Sequence, residues 1–498
     1  MKLYRTLTLT SAMALVTAGP AFADLTAEQV LADQIAQMEI YGLEVATIDQ
    51  SRSGDVLTVE GLEASMTTPE GTFAMTMGGA TFTEQGDGTV VVTYPAEIPL
   101  TIKFDSEGEE FEFLMGITQE GMQTVGSGIP EDIRYDYTSD EFKVEVVEFL
   151  SPEEATELDM TIEISMSGLT GFMELSGNTV RDYASQFNIE AVSLLLDGDV
   201  PEEEGDINVA LEVADIAVEY AGKMAAQDFM NSFAQAVQAG NETKGKITHG
   251  AMRYGIKGDG PEGAFEGDFT VGSGDLDFSL DKSGLDYGGT NRDMTMTFGG
   301  SMIPFPPMTL TMAESSGRFA MPVVPSPEEE QGFAMSLSMV DLVLDPFLWS
   351  MFDPGGALPR DPATIVLDLE GQGILTEDIF DPNAAEQMTA APGQLNAITL
   401  NELRMTIAGA ELTGDGDFTF NNEGGMPVPS GVVNMMLVGG NGLLDTLVGM
   451  GLVPEEQAMG ARMMMGLFAR PGDGEDTLVS TIEVQEDGSV LANGQRIR

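Results

Sequence analysis

Apolar and polar side chains alternate one by one along much of this chain. Leu158, Met160, Ile162, Ile164 and Met166 are separated by Asp159, Thr161, Glu163 and Ser165, and Phe73, Met75 and Met77 repeat the pattern. It returns at Met294, Met296 and Phe298, and again at Met308, Leu310 and Met312. Successive side chains of a strand point to opposite faces, so each run carries one apolar and one polar face. Sheets with one packed and one wet side are characteristically antiparallel. The pattern therefore predicts a mainly β (α+β) protein, built of long, curved antiparallel sheets with a few covering helices. Phe73, Met75, Met77, Met160, Ile162, Ile164, Met166, Met294, Met296, Met308 and Met312 are the candidate residues of its apolar faces.

From Gly42 to Leu150 strands dominate. Asp87-Gly88 signals a hairpin, and Ile133, Tyr135 and Tyr137 alternate with polar residues before Phe142, Val144 and Val146 continue the theme. Helices punctuate this run. Thr26 and Gln29 form a capping-box pattern, and Val30, Leu31, Ile35, Met38 and Ile40 follow at helical spacing, which predicts a helix over 27–40 covering an end or edge of the first sheet. A second helix is expected over 224–239, from Met224, Phe229, Phe233 and Val237, closed by Gly240-Asn241. That punctuation divides the chain into a β-rich region at 24–240 and another at 241–498.

Towards the C-terminus the pattern predicts a short helix over 345–353, ended by Asp353-Pro354-Gly355-Gly356. Strands are expected at 364–369 and 400–413, helices at 443–450 and 455–468, and a closing hairpin about Asp487-Gly488.

The chain starts MKLYRTLTLTSAMALVTAGPAFA. Lys2 and Arg5 precede an apolar stretch, and Ala21-Phe22-Ala23 supplies the small-x-small pattern of a cleavage site. The expectation is a signal peptide over 1–23, cut after Ala23, and a periplasmic protein. The formal net charge of −61 argues against nucleic acid as a partner, because that affinity comes largely from Lys and Arg on phosphates. It also disfavours anionic membrane surfaces. The most apolar later stretch, Val432 to Val453, is interrupted by Asn434, Asn441 and Asp445, so no transmembrane segment is expected. There are no cysteines, so the fold rests on packing and not on disulfides.

Chemistry is harder to find. His249 is the single histidine, and no G-x-S-x-G elbow accompanies it, so it reads as a strand residue and not as part of a triad. Gly240 to Lys246 approaches a phosphate-binding loop, but Ile247 stands where Ser or Thr is needed and a strand follows. Gly258-Asp-Gly260-Pro-Glu-Gly263 fits G-x-G-x-x-G, yet it also leads into a strand, and with 59 glycines chance accounts for it. Asp197-Gly-Asp199, Asp415-Gly-Asp417 and Asp473-Gly-Glu475-Asp476 gather oxygen ligands in expected turns, without completing an EF-hand. No catalytic residues, no cofactor and no enzyme activity are expected.

The 33 methionines stand out. Filling the core of a cysteine-free protein is their commonest use; lining a surface for varied apolar ligands such as acyl chains is a second, and copper binding by thioethers a third.

Asp345-PFLWSMFDPGGALPRDPATIVLDLEG, running to Gly371, and AGAELTGDGDFTF, Ala408 to Phe420, resemble an exported alphaproteobacterial family, domain of unknown function 2125. The ending Asp487 to Gln495, DGSVLANGQ, adds to the resemblance. It implies a periplasmic location and no assigned reaction, and it brings no catalytic residues. The long turn-linked strands are also similar in pattern to AsmA-type β-groove proteins, which are associated with the outer membrane and lipid movement. The functional expectation is a non-enzymatic periplasmic binding or scaffold protein of the cell envelope, with lipid or another apolar ligand along a methionine-rich β surface. The alternative is an interaction protein that takes envelope proteins or divalent cations on its acidic faces.

Overall fold

In the computed structural model of the chain, the structure describes residues 25–40, 42–68, 71–106, 109–150, 160–200, 205–225, 233–380, 392–423 and 427–498. The expected signal peptide, 1–23, lies outside the described residues. Among the described residues 27 strands join one hydrogen-bonded sheet. Sequence neighbours pair as antiparallel hairpins: Met160–Ser176 with Val180–Val200, that strand with Gly205–Ala225, and Gly284–Gly299 with Met308–Met321. The expected mainly β architecture with a few helices is what the chain adopts.

The pairing continues through residue 240. Strand Glu242–His249 pairs with Gly205–Ala225 on one side and with Ser273–Asp281 on the other. From Met308–Met321 the order runs through Gln331–Leu342, Ala363–Leu375, Gly393–Ile407, Ala410–Asn421 and Val428–Val438 to Thr477–Val484.

A line of irregularities creases the sheet across its long strands. Pairing skips Glu60 and Gly79, then Glu190 and Asp215, then Asp293 and Ala313. Asp215, Asp293 and Asp341 hold φ of 52°, 54° and 55° there, in the left-handed region that Asp tolerates better than most residues. Opposite them, a glycine in the break between two neighbouring strands makes room: a Cβ on Gly250, between Glu242–His249 and Met252–Gly260, would stand 3.0 Å from Asp215 Oδ2, and one on Gly272, between Gly263–Val271 and Ser273–Asp281, would stand 3.0 Å from Asp293 Cβ. An extra residue in a strand bends it and increases its twist, so aligned bulges fold the whole sheet along one line. The bulges also shift the alternation by one residue. Tyr135 and Tyr137 are odd-numbered on one side of the crease, Phe142 and Val144 even-numbered on the other. That shift keeps the apolar residues of both wings on the same face, which a straight strand would not do.

Helix Ala27–Ile40 forms where the sequence predicts it, and its capping box is made: Thr26 N–H donates to Gln29 Oε1 at 2.9 Å, and Gln29 N–H to Thr26 Oγ1 at 3.3 Å. It packs Val30 and Leu31 against Leu57, Val59, Phe82, Val90, Ile133 and Leu175, the main buried cluster. A smaller cluster joins Val237, Leu280 and Val323 under helix Phe233–Gln238. Helix Pro346–Phe352 is capped by Asp345, whose Oδ1 accepts from Phe347 N–H at 2.7 Å, and Trp349 on it is buried.

Several expectations need correction. Met224 belongs to strand Gly205–Ala225, and the helix expected from 224 is described only as Phe233–Gln238, with 226–232 outside the described residues. Met224 keeps its cross-strand partner Arg181, so ladder pairing overrides the local helical spacing. The run 400–413 is a hairpin and not one strand, because Ala408 and Gly409 at φ 48° and 81° turn the chain between Gly393–Ile407 and Ala410–Asn421. Asp197-Gly198-Asp199 and Asp415-Gly416-Asp417 lie inside strands, not turns: every residue of both segments has a ladder partner, and the four Asp residues are exposed.

Candidate functional site

The open wing of the sheet carries an unbroken apolar row. Ile98 pairs with Ile117, Ile117 with Val144, and Val144 with Ile164. The row continues from Ile164 through Leu194 and Leu211 to Tyr254. Phe269, Met296 and Leu310 complete it. Neighbouring strands lie about 4.8 Å apart, so ten residues in line span about 43 Å. A parallel row runs from Leu62 through Met77, Leu100 and Met115 to Val146.

All eleven sequence candidates fall on this same face, connected through these cross-strand pairs. Phe73 meets Phe104 with ring centroids 5.3 Å apart and the planes tilted by 59°, and Met166 stands between Phe142 and Val192. Their burial differs. Met294 and Met308 are buried, Phe73, Met75, Met77, Met160, Ile162, Met166 and Met312 are half-buried, and Ile164 and Met296 are 43% and 44% exposed. A face closed under a second layer would bury all of them; this one stays partly open.

The wall leads into a sheltered cavity at the first helix. The cavity holds about 410 Å³ and is lined by Leu31 and Met38 of the helix, Val59 and Phe82 on one side of the crease, and Leu62 and Met77 on the other. Gln34, Gln37 and Tyr94 supply its polar groups. That volume and mostly apolar lining are those of a small-molecule site. The sequence reading missed the cavity, because it depends on the helix meeting both wings at the crease.

Polar contacts hold the helix over it. Asp33 accepts from Tyr135 Oη at 2.8 Å and from Gln37 Nε2 at 2.8 Å, and it pairs with Arg181. Burial, reinforced by the Asp33 charge, pushes the Tyr135 hydroxyl far above its ordinary pKa, so it remains a donor. At the helix start Glu84 Oε1 accepts the Ala27 N–H at 2.9 Å while Arg52 bridges Glu28 and Glu84 at 2.7 and 2.8 Å. The Ala27 N–H, and then Arg52, hold the Glu84 carboxyl below the usual carboxylate range.

The opposite, polar face is concave in the other wing, where a cleft of about 890 Å³ is lined by Lys244, Lys246, Asp277, Asp286 and Arg318 among others. Its ions compensate one another: Lys246 meets Asp277 at 3.5 Å and Arg318 meets Asp286 at 2.7 Å. The Arg318 guanidinium holds Asp286 below the carboxylate range. His249 is a strand residue, as read, with Nδ1 2.8 Å from the Gly250 carbonyl oxygen. Among the described residues no three acidic or imidazole side chains converge as a metal site would require.

The fold and this face define the class: a creased, single-sheet β protein with one half-open apolar wall. Residues 293–496 match the family described as an uncharacterized protein conserved in bacteria, domain of unknown function 2125, which bears out the resemblance seen in the sequence. The three sequence segments that carried it all lie within that span. No curated protein and no solved structure matches the chain. Among the described residues no helix is long and apolar enough to cross a membrane.

Proposed function

We propose that this is a non-enzymatic envelope protein that holds acyl chains of lipid along the apolar wall, with a chain end in the cavity beneath helix Ala27–Ile40. The observation that carries the reading is the ten-residue apolar row, continuous from Ile98 to Leu310 and only partly covered. Leu and Ile supply six of its ten residues and Met one, aliphatic side chains that offer no directional hydrogen bonds and so suit a featureless ligand. The cavity volume of about 410 Å³ suits one long alkyl chain. The signal-like N-terminus supports an exported, periplasmic setting in which such chains are present.

The test is mass spectrometry of organic extracts from the protein purified without detergent from the periplasm of the cell that makes it. Stoichiometric phospholipid or fatty acid is the expected result. A stable, folded protein whose extract holds no lipid overturns the reading.

A further inference from the structure

Arg181 lends only part of its guanidinium to Asp33. Its Nη1 makes that ion pair, while Nε and Nη2 are buried and meet no hydrogen-bond partner among the described residues. Those two nitrogens form one edge of the planar group, the fork that offers two parallel N–H donors to an oxygen acceptor. Ser185, four residues along the same strand and 5% exposed, has an Oγ in the same condition. A buried donor without an acceptor carries its full desolvation penalty, and the penalty is largest on a charged group.

These groups border the cavity beneath helix Ala27–Ile40. Arg181, Tyr183 and Ser185 alternate onto one face of their strand, and the Asp33 contact marks that face as the one the helix covers. Ser185 pairs with Met173, which lines the cavity. Asp33 accepts from Gln37, which lines it too. Met173 and Gln37 are unbranched side chains with several rotatable bonds, able to move aside for an entering group.

We infer that the Nε–Nη2 edge of Arg181 receives the carbonyl oxygen of an acyl ester, so that the ester end of the ligand lies in the cavity and its hydrocarbon runs out along the wall. The inference rests on the acyl-binding reading and goes beyond it by naming the polar group that is recognised and the residue that recognises it. Charge selects the acceptor. Asp33 already compensates Arg181, so a fatty-acid carboxylate would set a second negative charge beside Asp33 and away from water. A hydroxyl would bring a further donor to a guanidinium edge that needs acceptors. An ester carbonyl brings lone pairs and no charge.

The test uses the full-length protein with two probes of equal chain length, palmitate and methyl palmitate, the ester isotope-labelled at its carbonyl. Bound methyl palmitate should show a carbonyl stretch at lower frequency than in hexadecane solution, the mark of hydrogen bonding, and should bind more tightly than palmitate in neutral buffer. Arg181→Lys keeps the charge opposite Asp33 but has no fork. It should return the stretch towards its free position and weaken binding of the ester about tenfold. Where that variant fails to fold, Asp33→Leu with Arg181→Met removes fork and counter-charge together and should lose the shift as well. An ester that binds with an unshifted carbonyl overturns the inference and leaves the acyl-binding wall standing. So does a shift that survives the loss of the fork, or palmitate bound more tightly than the ester. Failure of both probes to bind removes the inference and the wall reading together.

Discussion

Arg181 and Asp33, 148 residues apart in sequence, meet as an ion pair between strand Val180–Val200 and the first helix, with side chains only 13% and 11% exposed. The pair is the long-range clasp that sets the helix across both wings and so encloses the cavity. Asp33 also receives Tyr135 and Gln37, which satisfies its remaining lone pairs.

Breaking one half of this pair leaves the other charge buried. Asp33→Ala should lower stability by about 3–5 kcal/mol, the usual cost of stranding a buried ion, read from urea unfolding. Asp33→Leu with Arg181→Met, which removes both charges, should recover most of that loss. A single substitution costing less than about 1 kcal/mol would mean that the pair behaves as an exposed one.

The helix start should respond to acid. Glu84 sits below its ordinary pKa because the Ala27 N–H and Arg52 stabilise the carboxylate. A depressed folded pKa contributes stability that is complete above the unfolded value, about 4.3 for Glu, and is lost as the pH falls through the folded value. The melting temperature should therefore be level from pH 8 to 6 on account of this group and fall in the acid limb below about pH 4. Glu84→Gln should lower the neutral-pH plateau and flatten that limb; an unchanged limb would show that Glu84 has no part in it.

How much of this was written in the sequence is clearest at the crease. Met160 to Met166 and Phe73 to Met77 announced strands, and the structure puts them on one face because cross-strand pairs share a side. The slip from Tyr135 and Tyr137 to Phe142 and Val144 was visible as numbers, but its meaning was not. A phase change marks a turn, a register error or a bulge equally well, and only the pairing of both halves with one neighbouring strand decides it. The first helix was legible to the residue through its capping box. The cavity beneath it was not, since its lining draws on Val59 and Leu62 from opposite sides of a bulge and its helix is held by Arg181 with Asp33 across 148 residues. Met224 misled because its helical spacing is local, whereas its partner Arg181 is not.

The crease makes its own prediction at Gly168, which holds φ of 64° and where a Cβ would lie 2.3 Å from Glu190 Cγ. Gly168→Ala should cost about 1–2 kcal/mol from the left-handed backbone alone. Adding Glu190→Ala relieves the contact but not the backbone, so the double variant should recover only part of the loss. At Asp215, with φ of 52°, replacement by Asn should be nearly neutral in thermal unfolding and replacement by Val clearly destabilising. Equal melting temperatures for the two would mean that the bulge relaxes to ordinary strand geometry.

Leu194 and Leu195 are adjacent, both half-buried, and point to opposite faces. Leu194 stands in the apolar row between Ile164 and Leu211, while Leu195 pairs with Glu163 and Ala210 on the other side. Replacing either by Asp removes a similar partly buried apolar area, with a folding cost of about 1–2 kcal/mol in each case. Their effects on ligand must differ if the wall is the binding surface. Leu194→Asp puts a charge in the middle of the row, where an acyl chain would have to desolvate it, so bound lipid should fall well below stoichiometric in extracts of the purified variant. Leu195→Asp should retain lipid as the unaltered protein does. Matching lipid content in the two variants, at matching stability, would move the ligand off this face.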